Sequence, residues 1–324
     1  MIAAQIVAHD GPKSLRVGEV PDPSVTPDQV LIENRAAGVT FPDLLMTKGE
    51  YQMTPEFPFV PGSELAGVVK QAPPGSDFSE GDRVVAFPGL GGFAELVAAP
   101  LGSVFPLPDR LSFAEGAALP MNYLTCEFAL ARRGRLVEGE TVLVHGAAGG
   151  VGTAAIQLAK AMGARVIAVV STEEKAQVAR GAGADDAVMV EGFRDAVKGL
   201  TGGKGVDVIV DPVGGDRFTD SLRCLAPEGR MLVVGFTGRE IPTVKVNRLL
   251  LTNTDVVGVG WGAFALRAPG FLREQWDRLV PHIESGAITP PLGESFALAD
   301  AADALVSLDE RRATGKVVLT MNAE

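Results

Sequence analysis

Hydrophobic positions change their rhythm about a third of the way along the chain. From Met1 to about Pro108, short β-like runs recur: IAAQIVAH, SLRVGEV, QVLIENRAAGV, LAGVVKQ, RVVAF and FAELVAA. They are separated by PDPSVTPD, PEFPFVPG and PPGSDFSEGD, stretches rich in proline and glycine where turns are expected. This pattern predicts a β-rich first region. One helical interruption, Phe41 to about Lys48, ends in Gly49-Glu50-Tyr51, and a loop of this kind over a β scaffold is suited to wall a ligand pocket. Phe113 to about Leu130 mixes small and large apolar residues and predicts helical segments, with Ser112 as the first N-cap.

Beyond Thr141 the pattern alternates. Strands are predicted at 141–144, 165–170, 187–190, 206–210, 230–235 and 255–259, and helices near 150–162, 172–181, 194–200 and 217–225. Such alternation predicts a doubly wound α/β sheet of about six parallel strands. Helices near 271–285 and 300–310 and a terminal strand at 316–319 are expected to return to the first region, which makes the alternating region an insertion.

The stretch from Thr141 to Val170 carries the strongest chemical signal. A buried-type strand runs directly into Gly146, Ala147, Gly149, Gly150, Val151 and Gly152, and an amphipathic helix and a second strand follow. Glycine permits a tight turn, close approach of the backbone to a pyrophosphate, and close packing of the helix on the strand. The helix then directs free N–H groups and its positive end at the phosphates. The pattern departs from G-x-G-x-x-G in having Ala147 at its first position, so the surrounding strand–turn–helix–strand order supports it. At the tip of the second strand no carboxylate is placed to accept a ribose 2′-OH. Ser171 and Lys175 suit a 2′-phosphate instead, which favours NADPH. Ser171 is also expected to cap the next helix, with Glu173 and Glu174 at its positive end.

The composition of 324 residues, 46% hydrophobic, allows two separate cores. The first residues, MIAAQIVAHDGPKSLRV, lack the layout of a secretory signal, and no apolar run reaches membrane-spanning length, so a cytoplasmic location is expected. A net charge of −11 with no basic tract disfavours nucleic acid and anionic membranes as partners. Cys126 and Cys224 and the scattered His9, His145 and His282 show no metal-ligand spacing and are expected in structural roles. No G-x-S-x-G elbow supports hydrolase chemistry.

The chain resembles the zinc-independent quinone oxidoreductases, zeta-crystallin-like proteins included, of the medium-chain dehydrogenase/reductase superfamily. The resemblance spans nearly the whole chain and rests on AAGVTFPDLLMTKGEY, FPFVPGSELAGVV, GDRV, GAALPMNYLTCEFAL, VLVHGAAGGVGTAAIQLAKAMGA, GADDAV, GVDVIVDPVGG, GRMLVVGF and TGKVVL, in that order. It implies a GroES-like β domain (1–120 plus 262–324) into which a Rossmann domain (121–261) is inserted, a cleft between the two, and a homodimer through the edge at 255–259. Zinc alcohol dehydrogenases of the superfamily have Gly-His-Glu where this chain has Gly62-Ser63-Glu64, a cysteine near Val39-Thr40, and four further cysteines that are missing here. Catalytic and structural zinc are therefore not expected, and Glu64 is expected to pair with a cation.

The resemblance also implies hydride transfer from NADPH to a quinone or another α,β-unsaturated carbonyl. Thr40, at a position where the family commonly has Asn, and Tyr51 are the candidate donors to the developing oxyanion. Tyr123, Thr125, Gly235, Phe236, Gly260 and Trp261 are implied to border the cofactor. Val190 stands where many bacterial relatives have a tyrosine, and Asp211 is expected to brace its turn. Two other functions use the same scaffold: enoyl-thioester reduction, for which no basic CoA groove is evident, and NADPH binding with little turnover in a structural or regulatory protein.

Overall fold

The protein, described by a computed structural model over residues 1–321, follows the change of rhythm seen in the sequence. β1 (Ile2–Ile6) and β2 (Leu15–Glu19) form an antiparallel ribbon. Then come β3 (Gln29–Gly38), α1 (Phe41–Lys48), β4 (Glu64–Gln71), β5 (Arg83–Ala86), β6 (Leu96–Pro100), β7 (Val104–Pro106) and α2 (Phe113–Ala117). An irregular helical stretch, 120–133, contains α3 (Thr125–Glu127) between two wide, π-type turns, and Pro120 supplies no N–H to its first turn. The alternating part comprises β8 (Thr141–Val144), α4 (Gly150–Ala161), β9 (Arg165–Val170), α5 (Glu173–Gly181), β10 (Asp186–Met189), α6 (Phe193–Leu200), β11 (Val206–Asp211), α7 (Phe218–Leu222), β12 (Leu225–Val233), α8 (Asn247–Thr252), β13 (Asp255–Gly258) and α9 (Trp261–Ala265). The chain finishes with α10 (Phe271–Glu284), β14 (Leu292–Ala297), α11 (Ala301–Asp309) and β15 (Lys316–Thr320).

Two compact units result. The first takes Met1–Met121, Pro269–Glu284 and the chain from Thr289 on, and the second takes Asn122–Ala268 with Ser285–Ile288. In the first, a GroES-like β domain, seven strands run in the order β14-β15-β3-β4-β5-β7, with β6 also on β3. β3 alternates buried and half-buried residues over most of its ten residues, so one face turns to a core that includes Ile6, Ile32, Leu44, Leu65 and Phe93. The terminal β15 lies antiparallel to β3, with Val318 opposite Gly38, so the end of the chain completes the sheet begun near its start.

In the second unit the order β10-β9-β8-β11-β12-β13 is parallel throughout, a six-stranded Rossmann sheet. From β8 the chain progresses to one edge and from β11 to the other. The C-terminal ends of β8 and β11 therefore frame the topological switch point, where ligands bind in such sheets.

The structure adds elements that periodicity did not reveal. β7 is only three residues long, β14 is mostly exposed, and α8 buries none of its residues. Strand β12 begins at the buried Leu225, earlier than predicted; its register against β11 is irregular between Leu225 and Arg230, where the exposed Glu228 takes a left-handed φ of 63°.

Candidate active site

The end of β8 leads into the glycine turn. Gly146 has a left-handed φ of 58°, and its carbonyl accepts the Gly149 N–H at 3.0 Å, closing the turn. Gly149 is the N-cap of α4, extended at φ −86° and ψ 174°, and brings no side chain to cap the helix. The first helical bond runs from Thr153 N–H to Gly149 O at 2.8 Å, so the N–H groups of Gly150, Val151 and Gly152 lie in a first turn with no helical acceptor. A Cβ at Gly152 would come within 2.3 Å of Gly146 O, so only glycine lets the helix pack this close to the turn. Ala147 is fully buried, and its N–H points to Val169 O at 3.4 Å. An extended glycine approach, a row of uncapped N–H groups and the positive end of a twelve-residue helix fit a pyrophosphate.

Several buried groups brace this end of the sheet. Tyr123 is fully buried and donates its hydroxyl to Gln157 Oε1 at 2.7 Å, tying the irregular helical stretch to α4. Burial pushes its phenol above the ordinary value. Thr125 is buried beside it, and the Cys126 thiol donates to Val151 O at 3.3 Å. His145 Nε2 lies 2.8 Å from Ser221 Oγ, and burial pushes the imidazole down to about 3, so it is neutral. Asp211 Oδ1 accepts from the N–H groups of Val213 and Gly214 at 2.9 and 3.0 Å, holding the turn after β11 as expected.

At the tip of β9, Ser171 is exposed and Lys175 is half-buried in the first turn of α5. The expected cap moves by one residue: Thr172, extended at φ −145°, accepts the Lys175 N–H at 3.2 Å, leaving Ser171 outside the helix. Val190 packs against the core around Phe193. Gly235 and the part-exposed Phe236 lie beyond the end of β12; Gly260 is the N-cap of α9, and Trp261 is buried at its start. The amide of Asn122, a residue the motifs did not single out, lies against Gly150.

In the first unit, Thr40 and Asp43 close the N-terminus of α1 as a capping box. Asp43 Oδ2 accepts from Thr40 N–H at 2.8 Å and from the Thr40 hydroxyl at 2.5 Å, and its Oδ1 accepts from Gly62 N–H at 3.0 Å. Complete burial pushes the Asp43 carboxyl up to about 6 against these bonds and the nearby Lys316 charge. Tyr51 is half-buried against the β-domain core, and burial with the Asp43 charge raises its phenol above the ordinary value. Glu64, fully buried, pairs with Lys316 and accepts the Met121 N–H at 2.6 Å. A Cβ on Gly38 would come within 2.4 Å of Glu64 Oε1, so glycine makes room for this carboxylate. Among the described residues no group of three or more His, Cys, Asp or Glu is arranged to hold a metal ion.

Residues 26–109 match the family described as alcohol dehydrogenase GroES-like domain, and residues 150–285 match zinc-binding dehydrogenase. The bovine quinone oxidoreductase-like protein 2 is 38% identical over 95% of this chain and 90% of its own length. The chain belongs to the quinone oxidoreductase family of the medium-chain dehydrogenase/reductase superfamily. Among solved structures, a probable oxidoreductase from Mycobacterium abscessus is 46% identical with a TM-score of 0.91, covering 99% of both chains. The Escherichia coli quinone oxidoreductase, solved with NADPH, is 30% identical with a TM-score of 0.90, covering 99% of this chain and 100% of its own. Among the described residues no helix is long and apolar enough to cross a membrane.

Proposed function

We propose that the chain is an NADPH-dependent reductase of quinones or other conjugated carbonyls that works without a catalytic zinc. The observation that carries this reading is the uncapped N-terminus of α4 at the switch point of the parallel sheet. The Escherichia coli relative solved with NADPH supports it. The first-turn N–H groups of Gly150, Val151 and Gly152 hold the pyrophosphate, with Ala147 and Gly149 shaping the turn. Ser171 and Lys175 hold the 2′-phosphate. Gly235, Phe236 and Gly260 border the rest of the cofactor, while Tyr123, Thr125 and Trp261 support it by packing.

When bound, the dinucleotide supplies a hydride at nicotinamide C4. An acceptor polarised by its own conjugated carbonyl needs no Lewis acid, so the protein has to orient it, exclude water and stabilise one developing oxyanion. Tyr51 is the donor to that oxygen. Its raised phenol pKa keeps the proton in place at neutral pH. Thr40 directs its own hydroxyl proton to Asp43 and thereby fixes the loop that leads to Tyr51. Ser63 and the Lys316-paired Glu64 support chemistry without zinc. The chain assembles as a homodimer through β13, whose outer edge has no strand neighbour in the sheet among the described residues.

The test is the loss of reduced-nicotinamide absorbance when NADPH or NADH is mixed with benzoquinone, naphthoquinone, a short 2-alkenal, crotonyl-CoA or a simple aldehyde. Preferential NADPH consumption with quinone or enal is expected. Tyr51→Phe should lower kcat about 100-fold. Lys175→Ala should weaken NADPH about tenfold while leaving NADH unchanged. Consumption with the simple aldehyde or crotonyl-CoA alone would remove the quinone reading.

A further inference from the structure

Asn122, at the start of the irregular helical stretch, sets its side-chain amide against Gly150, the first residue of α4. Asn122 is only 6% exposed. A Cβ built on Gly150 would lie 2.5 Å from Asn122 Nδ2, 3.2 Å from its Cγ and 3.4 Å from Oδ1, so the amide nitrogen is the atom that approaches closest. Gly150 is the first residue of a twelve-residue helix whose N-cap carries no side chain. The neighbouring polar groups are already engaged: the Thr153 hydroxyl bonds to Gly149 O and Gly150 O at 3.1 and 3.2 Å, and the Tyr123 hydroxyl bonds to Gln157. Among the described residues the Asn122 side chain makes no hydrogen bond.

The amide of this nine-tenths buried side chain has no protein partner among the described residues, and it stands beside a helix end whose partial positive charge is also unanswered. Both features call for the same ligand, an anion with oxygen acceptors. We propose that Asn122 is a cofactor-binding residue that donates through Nδ2 to the dinucleotide pyrophosphate, next to the N–H groups of α4, and that residue 150 is glycine so that this amide can reach the cradle. The inference rests on the nucleotide-binding reading above and adds to it a side-chain donor supplied from outside the glycine motif.

The test is calorimetric titration of the full chain with NADPH, NADH and ADP-ribose, with thermal melting of each ligand-free variant. Asn122→Ala should weaken all three ligands about tenfold. Asn122→Asp should weaken them further, because a carboxylate repels the pyrophosphate. Asn122→Ser, which keeps a donor, should recover part of the loss. The ligand-free melting temperature of Asn122→Ala should stay near that of the parent, whereas a purely structural role would move it and leave the Kd in place. In a Gly150→Ala background, Asn122→Ala should have little further effect, because the new Cβ has already displaced the amide. Parent-like Kd values in Asn122→Ala overturn the proposal. A loss confined to NADPH would assign the amide to the 2′-phosphate, and a loss that spares ADP-ribose would assign it to the nicotinamide; either also overturns it. If the parent protein binds none of the three, the nucleotide reading itself falls.

Discussion

The N-termini of α1 and α4 meet the same physical demand in opposite ways. Each follows a strand, and each presents first-turn N–H groups that the helix cannot satisfy. At α1 the protein satisfies its own groups: Thr40 and Asp43 form a reciprocal box, and the carboxylate also takes the Gly62 N–H. At α4 the corresponding position is Gly149, which offers nothing. A side-chain cap stabilises a helix by about 1 kcal/mol, and in the function proposed above its omission at the switch point reserves those donors for a bound anion. A helix end built for structure is closed, and a helix end built for binding is left open.

Closing the open end should have the largest effect. Gly149 has a φ that any residue tolerates, and a Cβ there would meet only Gly146 O, at 3.5 Å. Gly149→Asp would therefore cap α4 with a negative charge. It should raise ligand-free stability by about 1 kcal/mol in denaturant melts while weakening NADPH at least roughly 100-fold, because its carboxylate repels the pyrophosphate. A variant that gains no stability, or that binds NADPH as the parent does, would break the comparison at its centre.

Opening the closed end should come next. Asp43→Ala leaves buried N–H groups and a buried hydroxyl without their acceptor and should cost about 2–3 kcal/mol of stability, read by urea unfolding. The pH dependence sharpens the same point. The folded Asp43 carboxyl is raised from 3.8 to about 6, so the folded state holds this proton more tightly than the unfolded chain. Its contribution is full below about pH 4 and is lost as pH rises to about 6. The stability of Asp43→Asn relative to the parent should therefore increase across that window and level off above it, whereas a flat difference would show that the carboxyl is not raised.

The smallest effects separate two adjacent residues. Thr172→Ala should cost about 1 kcal/mol, since Thr172 caps α5. Ser171→Ala should stay within about 0.5 kcal/mol of the parent in melts without cofactor.

Much of this was legible in the chain. Strand–turn–helix–strand order at 141–170 indicated the nucleotide unit, because buried parallel strands and glycine turns leave strong local signatures. Glu64 was expected to find a cation, and Lys316 proved to be that cation, though only the antiparallel return of β15 onto β3 brings the two together. The cap of α5 was misassigned by one residue, because Ser171 and Thr172 are equally good caps by type and only the backbone at Thr172 decides between them. Asn122 left no trace in the motif, since its relation to Gly150 spans 28 residues of sequence and depends on the packing of the irregular helical stretch against α4. β7, β14 and α8 were missed because short or exposed elements bury too little to impose a period.

The most direct test of the account is a fluorescence titration of NADPH into the parent protein and Gly149→Asp side by side. The open helix end predicts saturable binding of one NADPH per chain by the parent and none by the variant at the same concentrations. Equal binding by both, or no binding by the parent, would contradict the assignment of the α4 N-terminus as the dinucleotide site.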